Sequence, residues 1–583
     1  MHRSFSRTAL AVIVSNTFCL TAHAADAPPR DAAAIVVTAT RQPMRASELI
    51  SDISVIERED IARAGQATLA EFLATQPGVQ ITESGSPGAA ASILLRGANS
   101  GHTLVLIDGL RVGSATLGTV TWSRLPLAQI ERIEILRGPA SSLYGSDAIG
   151  GVVQVFTRRG DGPARFDAEA GVGSYGTTSA RAAVSGARNG LHYSVSAADF
   201  RSDGFNSIRN SRNTAYNPDA DGFANRSLAT ALSYDLAAGH EVGVDVFHST
   251  GRNRYDGSNP SPARADYANS VTVQSYAGTL KNAIADHWKS TLRLGRSSDN
   301  STSYANAAMV NVFRTDQSQA SWQHDLRLPV GNLLLAWEIL DQKISGTSAY
   351  TLKGRTVKSL LAGWNNRYGA HRFQANLRRD DNSQFGSRNT GSLAWGYQID
   401  GQWRTNAAYG TAFRAPTFND LFYPLSFGYV GNPNLKPEAS QSRELAVHYE
   451  KSGHHASLTW YLNRVSDLIS WSGVTSPVNV GTARLEGVTL AYAGHIAGFD
   501  ADASLDHLDA RDTGSGKRLG RRARSVANAG LGRTSGPWQW RSEVQVAGGR
   551  YDDDANAKHL GGYSLVNLQG SYAVARDWSL FAR

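Results

Sequence analysis

Residues 538–546, WQWRSEVQV, set Trp538, Trp540, Val544 and Val546 on one face, and polar or charged side chains on the other. Residues 165–172, RFDAEAGV, repeat the pattern with Phe166, Ala168, Ala170 and Val172 on one face. Successive side chains of an extended chain point to opposite faces, so a period of two predicts a sheet with one apolar face.

The alternation recurs from residue 161 to residue 583, where Gly, Asn, Asp and Ser turns separate the segments and helix signals are few. A soluble sandwich would turn the apolar face inward, and a soluble solenoid would need a repeat period that we do not find. An exported chain has another solution, a closed barrel whose apolar face meets lipid. At roughly 19 residues for a strand with its turn or loop, the stretch predicts a transmembrane β-barrel of about 22 antiparallel strands.

The composition excludes several other classes of protein. Charged residues are 19% of the chain and the mean hydropathy is −0.31, which is too polar for a bundle of membrane helices. The net charge of +8 is spread along the chain without a basic tract, so we expect no nucleic-acid partner. The 15 histidines are scattered and hydrolase motifs are absent, so we expect no enzyme.

Residues 1–24 have the pattern of a signal peptide. Arg3 and Arg7 precede a mostly apolar stretch, and Ala22-His23-Ala24 forms a small-residue cleavage site. We predict cleavage after Ala24 and export through the inner membrane. The single cysteine, Cys19, lies in the removed segment, so the mature chain is predicted to lack disulfides and thiolate metal sites.

Residues 48–160 follow a different pattern and predict a compact α+β unit. ISVIERED predicts a strand, and IARAGQATLAEFLATQPGV predicts a helix that stops at Pro77-Gly78. A barrel of this size encloses a wide lumen, which this unit can plug. Charges such as Arg96 and Arg137 predict a polar, hydrated contact between plug and barrel. GVGSYG, residues 171–176, predicts a periplasmic hairpin turn, since no helix follows as a dinucleotide site would require.

Several runs occurring in order resemble TonB-dependent outer-membrane receptors, in particular the vitamin B12 (cobalamin) receptor branch. LLRGANSGHTLVLIDGLRV (94–112) and ERIEILRGPASSLYGSDAIGGVVQVFTRR (131–159) resemble the two signature runs of the plug. YGTAFRAPTFNDLF (409–422) and GNPNLKPEASQSRELAVHYE (431–450) resemble late barrel strands and their connecting loop.

The resemblance implies a monomeric receptor, surrounded by outer-membrane lipid of a Gram-negative bacterium and energised by TonB with ExbB and ExbD. It implies a TonB-box segment and linker at 25–47, a plug at 48–160 and a barrel at 161–583. It also implies a further C-terminal strand beyond Arg583. Without that strand we expect a barrel that cannot close, with two unpaired edges in lipid.

IVVTAT resembles the family's TonB box, formed by Ile35, Val36, Val37, Thr38, Ala39 and Thr40. Its β-branched residues favour a strand, and the flanking sequence offers no hairpin partner. We therefore predict an unpaired strand with which TonB pairs its own strand. Each backbone hydrogen bond contributes only about 0.5–1.5 kcal/mol net, so we expect a modest equilibrium affinity between TonB and the box.

The resemblance implies that cobalamin is the substrate, with a ferric siderophore as the alternative. Haem is disfavoured because residues 417–431, between FRAP and NPNL, contain no histidine. The plug argues against a passive porin, and the TonB-like box argues against a porin or an adhesin. Loops 84–91 and 113–119 are implied to face outward and touch substrate, and the candidates are Ser84, Ser86, Gly88, Arg111, Ser114 and Thr116.

An acidic region beginning at residue 204 matches the calcium-binding loops of cobalamin receptors. Asp oxygens at short spacings suit a hard cation such as Ca²⁺. At the position of the family's first acidic ligand this chain has Asn206, whose amide oxygen can bind a cation but carries less charge than a carboxylate. Ordinary acidic surface loops are the alternative. The candidate ligands are Asn206, Asp219, Asp221, Tyr255, Asp256 and Asp266.

Overall fold

The computed structural model describes residues 13–15, 35–257, 265–426, 428–471 and 475–583. The predicted cleavage site after Ala24 lies outside these residues. A short strand, β1 (Ile13–Ser15), is followed by the elements of the plug. These are β2 Ile35–Val36, β3 Met44–Arg45, β4 Ile53–Glu57, α1 Arg58–Ala62, α2 Leu69–Ala74, β5 Val79–Glu83, β6 Ala91–Leu95, β7 Thr103–Ile107, β8 Leu110–Arg111, β9 Ile130–Arg137, α3 Ser141–Tyr144 and β10 Gly151–Thr157.

The plug is built on a five-stranded sheet in the order β4-β9-β10-β7-β8, with β10 parallel to β7. Strands β5 and β6 form a separate hairpin. The single helix predicted near residues 61–74 is divided into α1 and α2. The division arises at Thr68, whose hydroxyl accepts from the Glu71 N–H while the Glu71 carboxylate accepts from the Thr68 N–H. This reciprocal capping starts a new helix.

The second part of the chain forms the wall. Its elements are β11 Arg165–Gly173, β12 Thr177–Arg188, β13 Leu191–Ser202, β14 Phe223–Ala237, β15 His240–Tyr255, β16 Tyr267–Ala285, β17 Trp288–Ala305, β18 Ala308–Leu328, β19 Gly331–Gly346, β20 Gly354–Tyr368, β21 His371–Asn382, β22 Gly386–Gln398, β23 Trp403–Arg414, α4 Phe418–Phe422, β24 Glu438–Lys451, β25 His454–Ser470, β26 Val478–Ile496, β27 Phe499–Asp512, β28 Ser525–Ser535, β29 Trp538–Ala547, β30 Arg550–Tyr551, β31 His559–Leu560, β32 Tyr563–Ala575 and β33 Trp578–Ala582.

The wall is one antiparallel sheet of 21 strands, β11–β29 with β32 and β33, which confirms the predicted barrel and plug. Alternation along β14 shows the two faces, since Leu228 and Leu232 are exposed at 41% and 43% while Ala229 and Ala231 are buried. The apolar face therefore points outward, as a lipid-facing wall requires.

Strand β1 lies between the two ends of this sheet. Val14 pairs with Leu580 of β33 on one side and with Ala170 of β11 on the other. The 21 wall strands by themselves leave the sheet open, as expected, and in the chain as described β1, a segment that we did not expect in the wall, occupies the gap. This segment belongs to the predicted signal peptide, so cleavage after Ala24 would remove it.

Short turns join the wall strands at one end, and the other end has the longer connections such as 203–222 together with a few short turns such as 306–307. The hairpin turn predicted at GVGSYG is present between β11 and β12, but its predicted periplasmic location is wrong. The Tyr175 carbonyl accepts from the Asp203 N–H at 2.8 Å, and the Tyr175 and Phe205 ring centroids are 5.4 Å apart. The turn therefore lies at the end with the long connections.

Within the described parts of the chain, no helix is long and apolar enough to cross a membrane.

Apolar contacts join the plug to the wall, contrary to the expectation of a wholly polar interface. Phe247, Val271 and Val273 of the wall are buried in one cluster with Trp122 and Leu125 of the plug. The lumen-facing side of these strands is therefore not uniformly polar. Small and apolar wall residues at these positions are hard to distinguish in sequence from residues that face lipid.

Buried charges also cross the interface. Arg96 of the plug donates to Asp52 of the plug and, at 2.5 Å, to Glu444 of the wall. Arg137 contacts Asp52 at 3.1 Å, and the Tyr461 ring centroid lies 4.5 Å from Arg96 Cζ. Burial alone would raise the pKa of Asp52, but the guanidinium groups of Arg137 and Arg96 hold it below its ordinary value. These charges fix the plug at one position on the wall.

Replacing Arg96 with Met is expected to loosen the plug, because Glu444 loses its cation while buried. Breaking one partner of a buried pair costs about 3–5 kcal/mol. We expect channel openings in planar bilayers at lower urea concentration than for the unaltered protein. Lys343→Met, at a side chain 73% exposed on the wall, is the control and should leave the urea dependence unchanged. Identical conductance of the Arg96→Met variant and the unaltered protein at every urea concentration would contradict the prediction.

Candidate functional site

An open cavity of about 830 Å³ lies at the end of the barrel that has the long connections. Its volume is in the range of small-molecule sites, which are mostly apolar or aromatic with a few polar groups. Leu117, at the tip of plug loop 113–119, is 59% exposed and lines it from below. The aromatic side chains that line it are Tyr255, Tyr267, Tyr423, Tyr429 and Trp471.

A short helix after β23 shapes one side of the cavity. The Thr417 hydroxyl accepts from the Asp420 N–H at 3.0 Å, and the Asp420 carboxylate accepts from the Thr417 N–H at 2.9 Å. This pair starts α4 directly after the FRAP run, and Phe418 and Leu421 pack inward. Tyr423, the residue that follows α4, then lines the cavity.

Buried charges lie at the base of the cavity. Arg414 contacts Asp420 at 3.3 Å and Glu438 at 2.7 Å. The indole N–H of Trp471 donates to the other Asp420 oxygen at 2.8 Å. His102 of the plug lies 3.0 Å from the same Glu438 oxygen through Nε2. Trp471 of the cavity wall is therefore connected to His102 of the plug through three charged groups, which are Asp420, Arg414 and Glu438.

The tautomer of His102 follows from its second contact. Its Nδ1 accepts from the Asn99 N–H at 3.2 Å, so Nε2 carries the hydrogen that is donated to Glu438. The remaining Glu438 oxygen accepts from the Ile469 N–H at 2.9 Å. Every polar atom of Glu438 is therefore occupied, which allows a carboxylate to remain fully buried.

The strand end beside the cavity also contacts the plug through its backbone. The Phe413 carbonyl accepts from the Asp147 N–H at 3.0 Å, and the Ala415 N–H donates to the Ser146 hydroxyl at 3.1 Å. The Phe413 N–H donates to the Ser141 hydroxyl at 3.3 Å. The plug segment 141–147, which includes α3, is therefore held directly under the cavity.

The same plug segment holds the predicted TonB box from the other side. The Tyr144 hydroxyl donates to the Thr38 carbonyl at 2.9 Å. The Leu143 carbonyl accepts from the Arg41 guanidinium at 3.0 Å, and Arg41 pairs with Glu338 of the wall at 2.6 Å. One plug segment thus contacts both the strand end beside the cavity and the box.

The box is docked, not free, so the predicted unpaired strand is wrong for this state. Ile35 and Val36 pair with Arg45 and Met44 in a short hairpin. Thr38 and Ala39 are buried at 0% and 1% exposure. The flanking residues carry no hairpin signal because this pairing is only two residues long and is fixed by contacts with the plug.

A single carboxylate from the plug sheet binds the centre of the box. Glu134, at 0% exposure, accepts from the N–H groups of Val37 at 3.1 Å and Thr38 at 2.7 Å. The Thr38 hydroxyl donates to Gln154 of the neighbouring strand at 3.0 Å. The N–H groups that an added strand would bind are therefore already occupied.

The structure places the six sequence-derived substrate candidates in three surroundings. Thr116 lines the cavity, and the Ser114 hydroxyl is 2.7 Å from the Thr116 hydroxyl behind it. Arg111 lies elsewhere, bound to Asp147 at 2.7 Å and lining a second cavity of about 1100 Å³ between plug and wall.

The other three candidates lie in the connection between β5 and β6. Ser84 is exposed, and the Ser86 hydroxyl donates to the Asp221 carbonyl. Gly88 has φ +90°, and a Cβ there would stand 1.9 Å from the Phe223 ring, so only glycine fits. Ser86 and Gly88 therefore support the acidic connection 203–222 and do not line the described cavity.

The acidic candidates carry carboxylate oxygens that have no hydrogen-bond partner among the described residues. Asp219 Oδ1, Asp256 Oδ2 and Asp266 Oδ1 are buried in this way. Burial, together with the Asp221 and Asp219 carboxylates, raises the pKa of Asp256 to about 6. The pKa of Asp219 is also raised, by burial and by Asp221 and Asp266. The four carboxylates are therefore electrostatic neighbours that repel one another.

A hard cation would satisfy these oxygens, so the donor set fits Ca²⁺. Over the described ranges, however, no three His, Cys, Asp or Glu side chains already stand at metal-ligand geometry. Asp221 Oδ2 accepts from the Ser207 hydroxyl at 2.9 Å, and Asn206 Oδ1 accepts from the Ile208 N–H at 2.8 Å. The Tyr255 ring stacks on Tyr267 at 5.7 Å and belongs to the cavity.

Sequence reasoning missed most of the cavity. Tyr267, Tyr423, Tyr429, Trp471 and Arg414 were not singled out as site residues. The available signal for Tyr423 and Tyr429 is the aromatic content of the stretch between FRAP and NPNL. Aromatic residues are also common on the lipid face, so their number alone does not indicate a binding site.

Two family models match the chain. The model described as TonB dependent receptor-like, beta-barrel matches residues 173–583, and the TonB-dependent receptor plug domain matches residues 45–152. The vitamin B12 transporter BtuB of Photobacterium profundum is 33% identical over 597 residues, covering 99% of this chain and 95% of the relative. BtuB of Vibrio vulnificus is 29% identical over 603 residues, covering 100% and 94%.

Solved structures show the same fold at lower identity. A mutant of the ferric enterobactin receptor PfeA from Pseudomonas aeruginosa superposes with a TM-score of 0.81 at 20% identity, covering 94% of each chain. The siderophore receptor PirA from Acinetobacter baumannii gives 0.76 at 17% identity, covering 91% of this chain and 97% of the other.

Glu134→Gln is expected to free the box, since two N–H groups lose a charged acceptor and Arg132 loses its partner at 2.9 Å. Hydrogen bonds to charged groups contribute about 1.5–3 kcal/mol, so the box should open at least about tenfold more often. The measurement is the thiol-labelling rate of Val37→Cys, for which Cys19 in the predicted signal peptide is the only other cysteine.

Glu131→Gln is the matched control, because Glu131 lies on the same strand and is 45% exposed with Arg58 and Arg158 as its partners. Its labelling rate should equal that of the parent. An unchanged rate in the Glu134→Gln variant would show that this carboxylate does not hold the box.

Proposed function

The chain belongs to the family of TonB-dependent receptors, and from this premise we propose that it imports cobalamin (vitamin B12) across the outer membrane of a Gram-negative bacterium. Uptake of a small nutrient by a receptor that interacts with TonB is the general activity of the family. The observation that carries the finer assignment is the 33% identity, over 99% of the chain, to a relative named as a vitamin B12 transporter.

The aromatic cavity is the proposed binding site. Cobalamin presents a planar macrocycle edged with amide groups. Tyrosine and tryptophan rings supply contact area to such a face, and their hydroxyl and indole groups can bond to amides. Tyr429 is 50% exposed and Leu117 is 59% exposed, so both are available to a ligand that enters from outside.

The acidic cluster beside the cavity supports the assignment. A Ca²⁺ ion there would offset the mutual repulsion of the Asp219, Asp221, Asp256 and Asp266 carboxylates. Tyr255 directly precedes Asp256 and lines the cavity, so ordering these carboxylates would also fix a cavity side chain. Asn206 is a weaker candidate ligand, since its oxygen already accepts a backbone N–H.

Substrate occupancy is proposed to reach the box through the contacts below the cavity. A ligand against Trp471 changes the environment of Asp420 and thereby of Arg414. The adjoining strand end holds the plug segment 141–147, and Tyr144 of that segment holds Thr38. Weakening these contacts favours the released box, to which TonB can add a strand.

Once the box is released, we propose that TonB, energised by ExbB and ExbD, pulls on residues 35–40 and displaces part of the plug. The receptor acts as a monomer. The second cavity, about 1100 Å³ between plug and wall, contains Val37 and Arg41 as well as Arg111. A pull on the box therefore acts directly on one wall of an existing space in the lumen.

A ferric siderophore is the alternative cargo. A cavity with five aromatic side chains above a buried arginine also suits an anionic aromatic chelate. Similarity to the solved siderophore receptors shows the fold only and does not favour either cargo.

Val37→Pro is expected to abolish uptake and leave binding intact. Proline removes the N–H that strand addition requires and cannot lie within a ladder, while the cavity is formed by other residues. The measurements are uptake of labelled cyanocobalamin by cells and equilibrium binding to purified receptor. Val37→Ala keeps the N–H and should transport normally. Loss of binding in the proline variant equal to its loss of uptake would refute this role of the box.

Cyanocobalamin binding to the purified receptor tests the cargo and the cation together. Trp471→Ala should weaken binding at least about 30-fold, the effect of removing a central aromatic contact of about 2 kcal/mol. Added Ca²⁺ should tighten binding, and Asp256→Asn with Asp266→Asn should remove that effect while preserving the calcium-free affinity. Asp316→Asn, on the outer face of the wall, is the control. Tight binding of ferric enterobactin without binding of cyanocobalamin would establish the alternative cargo.

A further inference from the structure

Arginine side chains gather on the outer face of the wall at the end with the long connections. Arg201 of β13 is 54% exposed and Arg226 of β14 is 70% exposed. Both donate to Asp199, at 2.9 and 2.8 Å. Arg252 of β15 is on the same face, and its Cζ lies 5.3 Å from the Tyr304 ring centroid.

The strand register brings these arginines together. Ala224 of β14 pairs with Arg201 on one side and with Arg252 on the other. Arg226, two residues along the same strand, pairs with Asp199. Side chains of directly paired residues share a face of the sheet and lie close to one another. Arg201, Arg226 and Arg252 therefore form one group, the arginine patch.

The patch lies directly beyond the apolar belt. On the same face, Leu228 and Leu232 follow Arg226 along β14, with exposures of 41% and 43%. Val242 and Val244 of the neighbouring strand β15 are exposed at 40% and 48%. The outward apolar band of such a wall is about 25 Å tall and is flanked by the interfaces. The arginine patch is therefore at the level of the lipid headgroups.

The patch has an excess of positive charge. Asp199 alone serves both Arg201 and Arg226, and across the described residues Arg252 forms no ion pair. A guanidinium group beside hydrocarbon requires an anion, and its planar donors match a phosphate group in two-bond geometry. The neighbouring belt would accommodate the acyl chains of the same molecule.

We propose that the arginine patch is a binding site for an anionic lipid of the outer leaflet, with a phosphate on the lipid headgroup contacting Arg201, Arg226 and Arg252. The site lies on the outside of the wall and is separate from the cavity and the box. The bound lipid would contact the outer rim of the barrel and take no part in transport. The assignment is therefore independent of which substrate the receptor imports.

The test compares lipid retention by the detergent-solubilised full chain in native mass spectrometry. The probes are diphosphoryl lipid A and the same lipid without phosphate. Arg201→Gln, Arg226→Gln and Arg252→Gln are combined in one variant. The matched control combines Arg296→Gln, Lys358→Gln and Arg484→Gln, which removes three exposed outward cations from β17, β20 and β26, strands that are not neighbours in the wall. Heat-modifiable electrophoretic mobility shows that each variant is folded.

We expect the patch variant to bind diphosphoryl lipid A at least about tenfold more weakly than the unaltered receptor, which corresponds to the loss of one charge-assisted contact. The affinity of the control variant for this lipid should stay within about twofold of that of the unaltered receptor. Such a change is less than half the free energy of one charge-assisted contact. The lipid without phosphate should bind all three proteins equally weakly. Equal losses in both variants, or unchanged retention by the patch variant, would overturn the proposal. Displacement of the lipid by inorganic phosphate would overturn its assignment to a lipid.

Discussion

The structure depends on one constraint: a backbone N–H or C=O group inside a bilayer must be hydrogen-bonded within the protein. A wall of 21 paired strands meets it and encloses a lumen too wide to leave open. The plug fills this lumen, and in the proposed transport cycle it remains in place at rest and yields to a pull by TonB. Between β33 and β11, Ile13–Ser15 pairs with both strands, so the two ends of the wall also have partners in the chain as described.

The attachment of the plug combines two kinds of interaction with different consequences. Apolar contacts around Phe247 and Trp122 resist separation but tolerate small shifts, because they are not directional. The buried contacts of Arg96 with Asp52 and Glu444 fix a single position, since charges in a low-dielectric interior lose much when they part. By contrast, the box is held by a few hydrogen bonds, of which Glu134 accepts those from Val37 and Thr38, so it can be released while the rest of the plug stays in place.

The two ends of the proposed transport cycle meet in one plug segment. Residues 141–147 bond to the strand end beside the cavity and, through Tyr144, to the box. Such contiguity supplies a physical route between the sites, and coupling energies measured between cavity and box variants would show how much of the signal it carries. At the mouth, oxygens of Asp219, Asp256 and Asp266 that have no hydrogen-bond partner among the described residues give the loops a negative charge.

Local patterns sufficed for the barrel and the plug. The alternation in WQWRSEVQV depends only on which face each side chain occupies, and the plug runs are continuous in sequence. The cavity was not predictable, because Leu117, Tyr267 and Trp471 are brought together by a plug loop and distant wall strands. The docked state of the box was missed for the same reason. Its N–H groups are satisfied by Glu134, a residue far along the chain that only packing inside the lumen places there.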